Sequence, residues 1–394
     1  MKIMYYANYS LSEGDAPSNH IIQICAKFKQ RGNKVLLFTR KTGCQLAKYG
    51  LKTFRVPIVE SNKHKTLRRI SKVLWRALAN AAMMLFRPSV LYQRDRADDW
   101  IPLSLSLRWG VPLVVEVNGW YPMDVAEKRG HEVYWEVYWK VVELLRPRYE
   151  HAAALITSSP GLRELILSTF RVSPDRVVYI SNGTDLDMFR SVKPYKPGEG
   201  DKFVLGMIAG YHPHIDIKSV LKAISFLLRK KIPIELRLYT YANDEDKERI
   251  QLMVQEMNLV EFVKILPKVP YYKLPEVLSQ IDVCLAIYKK TCLEKHKSIE
   301  AAMKLWDYWA SQRPVIATDL PWTYSYHHHL EKRLLAIPPE DPQSLAQAIE
   351  TLFRSPDLAR TIAMNGYHYV QSGHSWADVA ARIEEVLRKV VTQR

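Results

Sequence analysis

At 394 residues the chain exceeds what one ordinary hydrophobic core serves and suits two α/β domains. Its composition, 47% hydrophobic and 25% charged, excludes a disordered chain. The formal net charge of +16 points to an anionic partner; without tandem Cys/His fingers, heptads below a basic region or RRM-type aromatic motifs, nucleic acid is disfavoured, and anionic lipid and sugar-nucleotide phosphate remain.

Met1-Lys2-Ile3-Met4-Tyr5-Tyr6 reads as a first strand and not as a signal peptide. No run approaches the roughly 18 to 20 apolar residues that span a bilayer, so a cytoplasmic protein is expected. After the polar stretch 10–19, Ile21, Ile22, Ile24, Cys25 and Phe28 recur at helical spacing, the helix stops at Arg31-Gly32-Asn33, and residues 35–39 form a short buried strand. This β-α-β opening predicts a parallel, doubly wound sheet. Glu13-Gly14-Asp15 occupies the loop before the helix, where free N–H groups and the helix dipole suit an anion; a plain surface turn is the other reading of Gly14.

Next, Lys63, Lys65, Arg68, Arg69, Lys72 and Arg76 alternate with Leu67, Ile70, Val73, Leu74 and Leu78, and the pattern continues into Met83-Met84-Leu85-Phe86-Arg87. A basic amphipathic helix of this kind marks a protein peripheral on an anionic membrane surface, and a solvated outer helix face is the alternative. Further strands are expected at 89–93, 111–117, 153–158 and 177–181. Between Gly119 and Tyr149 the chain packs Trp120, Tyr121, Tyr134, Trp135, Tyr138, Trp139 and Tyr149, with Trp135 and Trp139 four apart on one helical face. Such rings either fill a core or meet a sugar, a lipid groove or the headgroup level.

The proline- and glycine-rich stretch 193–200 reads as a connector, dividing an N-terminal domain, 1–192, from a C-terminal one, 193–375. Strands follow at 203–209, 234–240, 262–266, 283–287 and 315–318, with helices at about 217–230, 245–257, 344–353 and 358–369 and a long helix containing 304–310. A cleft between the two domains is expected to hold ligands at the C-terminal edges of the sheets. Cys25, Cys44, Cys284 and Cys292 show no CxxC spacing and suit buried thiols in a reducing compartment, with neither zinc nor a disulfide framework. His327-His328-His329 cannot point at one centre and has no carboxylate pattern beside it, so no metal site is expected.

Several segments, in order and over nearly the whole chain, resemble the retaining family 4 glycosyltransferases. Val178-Tyr179-Ile180-Ser181-Asn182-Gly183-Thr184-Asp185-Leu186-Asp187-Met188-Phe189 resembles the family's v-i-P-N-G-v-D-l-d-x-F segment. Residues 304–318, opening Lys304-Leu305-Trp306-Asp307, resemble K-l-f-E-Y-m-A-x-G-x-P-V-I-a-t, the donor-binding helix and following strand, with Asp307 in the Glu position. Residues 335–352 resemble l-l-v-p-p-x-D-p-x-x-L-a-x-a-I-x-x-L, and Ser375-Trp376 resembles the s-W that opens the last helix, 376–394, which in this fold crosses back onto the first domain.

The resemblance implies the GT-B fold, two facing Rossmann-like domains with parallel sheets. It implies sugar transfer from a nucleoside diphosphate with retained anomeric configuration and no metal or other cofactor. It also gives Asp307 a role: its carboxylate accepts hydrogen bonds from the nucleotide ribose. Where the family reads G-R-L-x-P-x-K-G, this chain has Gly210-Tyr211-His212-Pro213-His214-Ile215-Asp216, so the usual Arg and Lys for the donor diphosphate are replaced. His212, His214, Lys218, Lys289, Lys290 and Lys304 are the substitutes. The first Glu of the family's E-x7-E pair falls on Ile299, with Glu300 adjacent, and Gln312 replaces a glycine. Gly14, Gly210, Glu300 and Leu305 complete the expected donor set.

By the same resemblance the first domain binds the acceptor. Arg94, Glu116 and Asn118 lie at strand ends, and Glu116-Val117-Asn118-Gly119 resembles the family's e-v-n stretch. These three are the catalytic candidates, and an ordinary strand end with a salt-bridged Glu is the other reading. The aromatic and basic stretches, Trp120, Tyr121, Trp135 and Trp139 with Arg68, Arg69 and Lys72, point to a lipid-linked or glycan acceptor at the inner face of a membrane. The rivals are a sugar-nucleotide epimerase of the same fold, and a binding subunit that has lost turnover with its Arg and Lys.

Overall fold

The computed structural model describes all residues except 13–14, 41–45, 57–64, 128, 130–132, 197–199, 211–213, 241, 291–302, 321–331 and 394, together with the side chains of 47–48, 65–68 and 127. The first sheet consists of β1 (Lys2–Ala7), β2 (Lys34–Thr39), β3 (Lys52–Arg55), β4 (Val90–Arg94), β5 (Leu113–Val117), β6 (Ala154–Thr157) and β7 (Val177–Tyr179). All neighbours are parallel, in the order β3-β2-β1-β4-β5-β6-β7. Its helices are α1 (Ala16–Gln30), α2 (Lys65–Phe86), α3 (Ile101–Trp109), α4 (Tyr121–Glu127), α5 (Tyr134–His151) and α6 (Pro160–Thr169).

After α7 (Leu186–Phe189) the pattern restarts with β8 (Phe203–Ala209), α8 (Ile217–Arg229), β9 (Ile234–Thr240), α9 (Asp244–Glu256), β10 (Val263–Pro267), α10 (Leu274–Leu278) and β11 (Val283–Ala286). It continues through α11 (Lys304–Ala310), β12 (Val315–Thr318), β13 (Leu335–Ile337), α12 (Pro342–Arg354) and α13 (Pro356–Gln371), and the last helix is α14 (Trp376–Thr392). This second sheet is also parallel, in the order β10-β9-β8-β11-β12-β13.

The central strands are mostly apolar because helices cover both faces of a parallel sheet; every residue of β5 and β6 is buried, Glu116 and Thr157 included. α1 starts where Asp15 accepts a hydrogen bond from the Ser18 N–H and Pro17 stands in the first turn. It ends before Gly32, whose φ of 82° a side chain disfavours. In the second sheet's helical layer α11 and α13 approach so closely that a Cβ on Gly366 would overlap the Trp309 ring.

Two compact units result, one from Met1–Ser181 with Trp376–Arg394, the other from Asn182–Ser298 with Ala302–Ser375. The first unit ends at Ser181, not at the expected residue 192, because Phe189 and Val192 pack into the core of the second unit. α14 lies against α1, burying Trp376, Val379, Ile383 and Leu387, while Arg31 Nε donates to Glu384 Oε2 at 2.5 Å. Two strands were absent from the sequence pattern. β3 is an edge strand with no buried residue, and β13 has three residues of which only Ile337 is buried, so neither makes an apolar run.

In each sheet the strand order reverses once, between β1 and β4 in the first and between β8 and β11 in the second. The crevice outside the carboxyl ends of the strands at such a reversal is where open α/β sheets bind ligands.

Candidate active site

In the second unit the reversal brings Gly210, which follows β8, beside Tyr288, Lys289 and Lys290, which follow β11. The two loops are tied together: Ile215 forms an antiparallel bridge with Tyr288, and the Lys289 N–H donates to the His214 carbonyl at 2.8 Å. The His214 ring stacks on Tyr288, centroids 6.0 Å apart, and Lys304 Nζ lies 5.1 Å from the centre of the same Tyr288 ring. Gly210 is buried, Lys289 is partly exposed, and Lys218 and Lys290 are exposed. α8 begins here, capped by Asp216, whose Oδ1 accepts from the Ser219 N–H at 3.0 Å. Asp216 Oδ2 is buried with no hydrogen-bond partner among the described residues.

α11 presents Lys304 and Asp307 one turn apart. Burial lowers the Lys304 pKa to about 8 and raises the Asp307 pKa to about 7. Asp307 Oδ1 accepts from Thr184 Oγ1 at 2.6 Å and from the Tyr271 hydroxyl at 3.2 Å; no described residue donates to Oδ2. The Tyr271 hydroxyl in turn accepts from the Asp185 N–H at 3.3 Å. Leu305 points into the core, so its side chain is no donor contact and only its backbone is left for that role. Gly14, His212, Glu300 and His327-His328-His329 lie outside the described residues.

In the first unit Glu116 ends up inside, 3% exposed, with Oε1 against His20 Nε2 and 3.9 Å from Arg94 Nη1, and with Oε2 accepting from the Tyr5 hydroxyl at 2.5 Å. Burial alone would raise its carboxyl, but His20, Arg94 and the Tyr5 hydroxyl outweigh it and hold the pKa at about 2. A carboxylate so enclosed fits the second reading of this strand end, a Glu held in an ion pair. Asn118, on the adjoining loop, has a buried Nδ2 without a partner among the described residues.

Trp120 is also a core residue, fully buried with Nε1 donating to the Tyr138 hydroxyl at 3.1 Å, and so is unavailable to acceptor or membrane. Tyr121 is partly exposed, and its hydroxyl donates to the Asp95 carbonyl at 3.1 Å. Trp135 and Trp139 are open to solvent, 59% and 54% exposed. On α2, Trp75, Ala79 and Met83 face the core, while Ile70, Val73 and Leu74 are exposed beside Arg69, Lys72 and Arg76; the Arg68 side chain lies outside the described set. Among the described residues no helix is long and apolar enough to cross a membrane, and no group of three or more His, Cys, Asp or Glu could hold a metal.

The family model for Glycosyltransferase Family 4 matches residues 17–188, and that for glycosyl transferases group 1 matches residues 202–355. The chain belongs to the family 4 glycosyltransferases. This glycosyltransferase is 27% identical over 306 residues to the alpha-maltose-1-phosphate synthase of Mycolicibacterium smegmatis, covering 72% of this chain and 75% of that one. Among solved structures, the sucrose-phosphate synthase of Thermosynechococcus elongatus superposes with a TM-score of 0.78 at 16% identity, over 100% of both chains. Anabaena HepE in complex with UDP-glucose gives a TM-score of 0.76 at 13% identity, over 99% of this chain and 100% of that one. These likenesses give the glycosyltransferase the GT-B fold.

The two strongest family-like segments, far apart in sequence, meet in space through the Thr184–Asp307 hydrogen bond. Thr184 was missed as a site residue, although a threonine at an otherwise apolar position of its motif is a legible signal. Tyr271 and Tyr288 carry no local sequence signal.

Proposed function

We propose that this glycosyltransferase moves a sugar from a nucleoside-diphosphate donor, held by the unit that begins at Asn182, to a lipid-linked or glycan acceptor held by the first unit at an anionic membrane surface. The observation that carries the reading is the Asp307–Lys304 pair on α11. Asp307 Oδ2 takes no bond from a described residue and suits a ribose hydroxyl, and Lys304 supplies positive charge for the diphosphate. Relatives fit this assignment: HepE has been solved with UDP-glucose bound.

Transfer would proceed with retention and without a resident metal. Charge developing on the leaving diphosphate is met by Lys304 with Lys289 and Lys290, and the leaving phosphate oxygen accepts the acceptor hydroxyl's proton as the new glycosidic bond forms. The exposed apolar residues of α2, flanked by Arg69, Lys72 and Arg76, favour a protein lying peripherally on the inner face of the membrane.

A thermal-shift screen with uridine, guanosine, adenosine and thymidine diphosphates and their common sugar conjugates tests the donor site. A ligand at a hundred times its dissociation constant adds about 2.7 kcal/mol of apparent stability. One nucleotide family should stabilise the wild type and not Asp307→Ala; stabilisation by none, or equally of both proteins, sinks the assignment. Release of nucleoside diphosphate that depends on added acceptor separates transfer from epimerisation.

A further inference from the structure

At the reversal of the first sheet, between the carboxyl ends of β1 and β4, lies a pocket of about 320 Å³ whose lining includes Asn8, Tyr9, Arg94 and Arg96 together with two carboxylates, Asp95 and Asp98. Its size is at the small end of the range for small-molecule sites, enough for a phosphorylated head group and too little for a lipid tail. Three arginines converge on it or on its wall. Arg40 Nε donates to Asn8 Oδ1 at 2.6 Å and Arg96 Nη1 to the Asn8 carbonyl at 3.2 Å, so two guanidinium groups share one asparagine. Arg94 Nη1 is buried with no hydrogen-bond partner among the described residues; the nearest anion, Glu116, is 3.9 Å away and already engaged by His20 and Tyr5.

The two carboxylates of the lining are already paired. Asp95 is paired with Arg148 and accepts from the Tyr149 hydroxyl at 2.5 Å, and Asp98 accepts from Arg96 Nε at 2.8 Å. Burial, and after it the neighbouring Arg96, lower the Arg40 pKa, while Asp98, Asp99 and Tyr6 offset part of that effect. A buried guanidinium donor left over beside a second arginine, in a concave site at a strand-order reversal, is what a phosphoryl group needs.

We propose that this pocket binds a phosphoryl group of the acceptor, with Arg94 and Arg96 as its ligands. The inference rests on the reading that the first unit binds the acceptor, and it narrows that acceptor to a phosphorylated one, either a soluble sugar phosphate or a lipid phosphate.

Calorimetric titration of the full-length protein tests it, with glucose 1-phosphate, glucose 6-phosphate, a short-chain isoprenyl phosphate in detergent, and unphosphorylated glucose as probes. At least one phosphorylated probe should bind while glucose does not. Arg94→Gln and Arg96→Gln should each weaken that binding tenfold or more, leaving the nucleotide-dependent thermal shift in place. Binding of the isoprenyl phosphate alone identifies a lipid source, and binding of a sugar phosphate alone a soluble one; either supports the proposal. It is overturned if no phosphorylated probe binds the wild type, or if the bound probe is held equally well by both variants. Should Arg94→Gln fail to fold, the partly exposed Arg96 carries the test alone. Loss of the nucleotide shift in the wild type, with arginine-dependent phosphate binding intact, would instead count against the donor assignment and leave this site standing.

Discussion

Asp307 and Lys304 share one turn of α11, and burial drives their pKa values toward each other, up to about 7 and down to about 8. In the proposed role the first must be ionised to accept from ribose and the second protonated to hold phosphate. Nucleotide affinity should therefore rise as pH passes 7 and fall as it passes 8, giving a narrow bell. Calorimetry between pH 5.5 and 9.5 reads this directly. Asp307→Asn should lose the acid limb and Lys304→Arg should carry the basic limb upward; a flat wild-type profile would refute the pairing.

The free protein should show the opposite sign at Asp307. Folding raises this pKa from 3.8, so the folded state binds the extra proton between about pH 4 and 7, and stability is lost as pH climbs through that window. Asp307→Asn escapes the loss and should be more stable than wild type at pH 8 by roughly 1 to 2 kcal/mol, read by urea denaturation, while binding nucleotide worse. Asp307 was legible because it stands in a local motif. Tyr271 was not, since its contact depends on a sequence separation that no spacing rule encodes. Glu116 and Trp120 were legible as special with two readings open for each, because nothing local distinguishes a strand-end Glu facing a cleft from one facing His20, or a packed indole from an open one.

α2 shows how far an element can be read from periodicity. The pattern gave a basic amphipathic helix, and its buried stripe of Trp75, Ala79 and Met83 accounts for only part of its apolar residues. Ile70, Val73 and Leu74 remain exposed beside Arg69, Lys72 and Arg76, and the proposed contact with an anionic bilayer would cover them. Co-sedimentation with vesicles containing anionic phospholipid should retain the wild type. Lys72→Gln with Arg76→Gln should weaken retention by about 30-fold, at about 1 kcal/mol per basic residue. The tryptophans of the next aromatic stretch should separate cleanly: Trp120→Ala costs about 3 to 5 kcal/mol of stability, whereas Trp135→Ala and Trp139→Ala leave stability nearly unchanged and lower vesicle retention. Equal retention of every variant would assign these faces to another partner. The short edge strands β3 and β13 show the limit of the same method, because strands that bury little carry little pattern.

At the scale of the molecule, the connector composition near 193–200 marked the change of domain, but packing moved the boundary to Ser181 because the segment from Asn182 is anchored by Thr184 on Asp307 and by Phe189 in the second core. The other boundary has a sharper consequence. Trp376, Val379, Ile383 and Leu387 are buried, and at about 1.5 to 3 kcal/mol each they contribute roughly 6 to 12 kcal/mol before entropy is set against it. That is comparable with the whole stability of a typical domain. Deleting 376–394 should therefore unfold the first unit while the second, whose sheet and core lie within Asn182–Ser298 and Ala302–Ser375, still melts cooperatively. Limited proteolysis of the truncated chain should digest residues 1–181 and spare a fragment from about Asn182 to Ser375. If the donor assignment is right, that fragment keeps the nucleotide-induced thermal shift and its dependence on Asp307. Survival of a protected 1–181 fragment without the last helix would show instead that α14 only decorates a sheet already stable by itself.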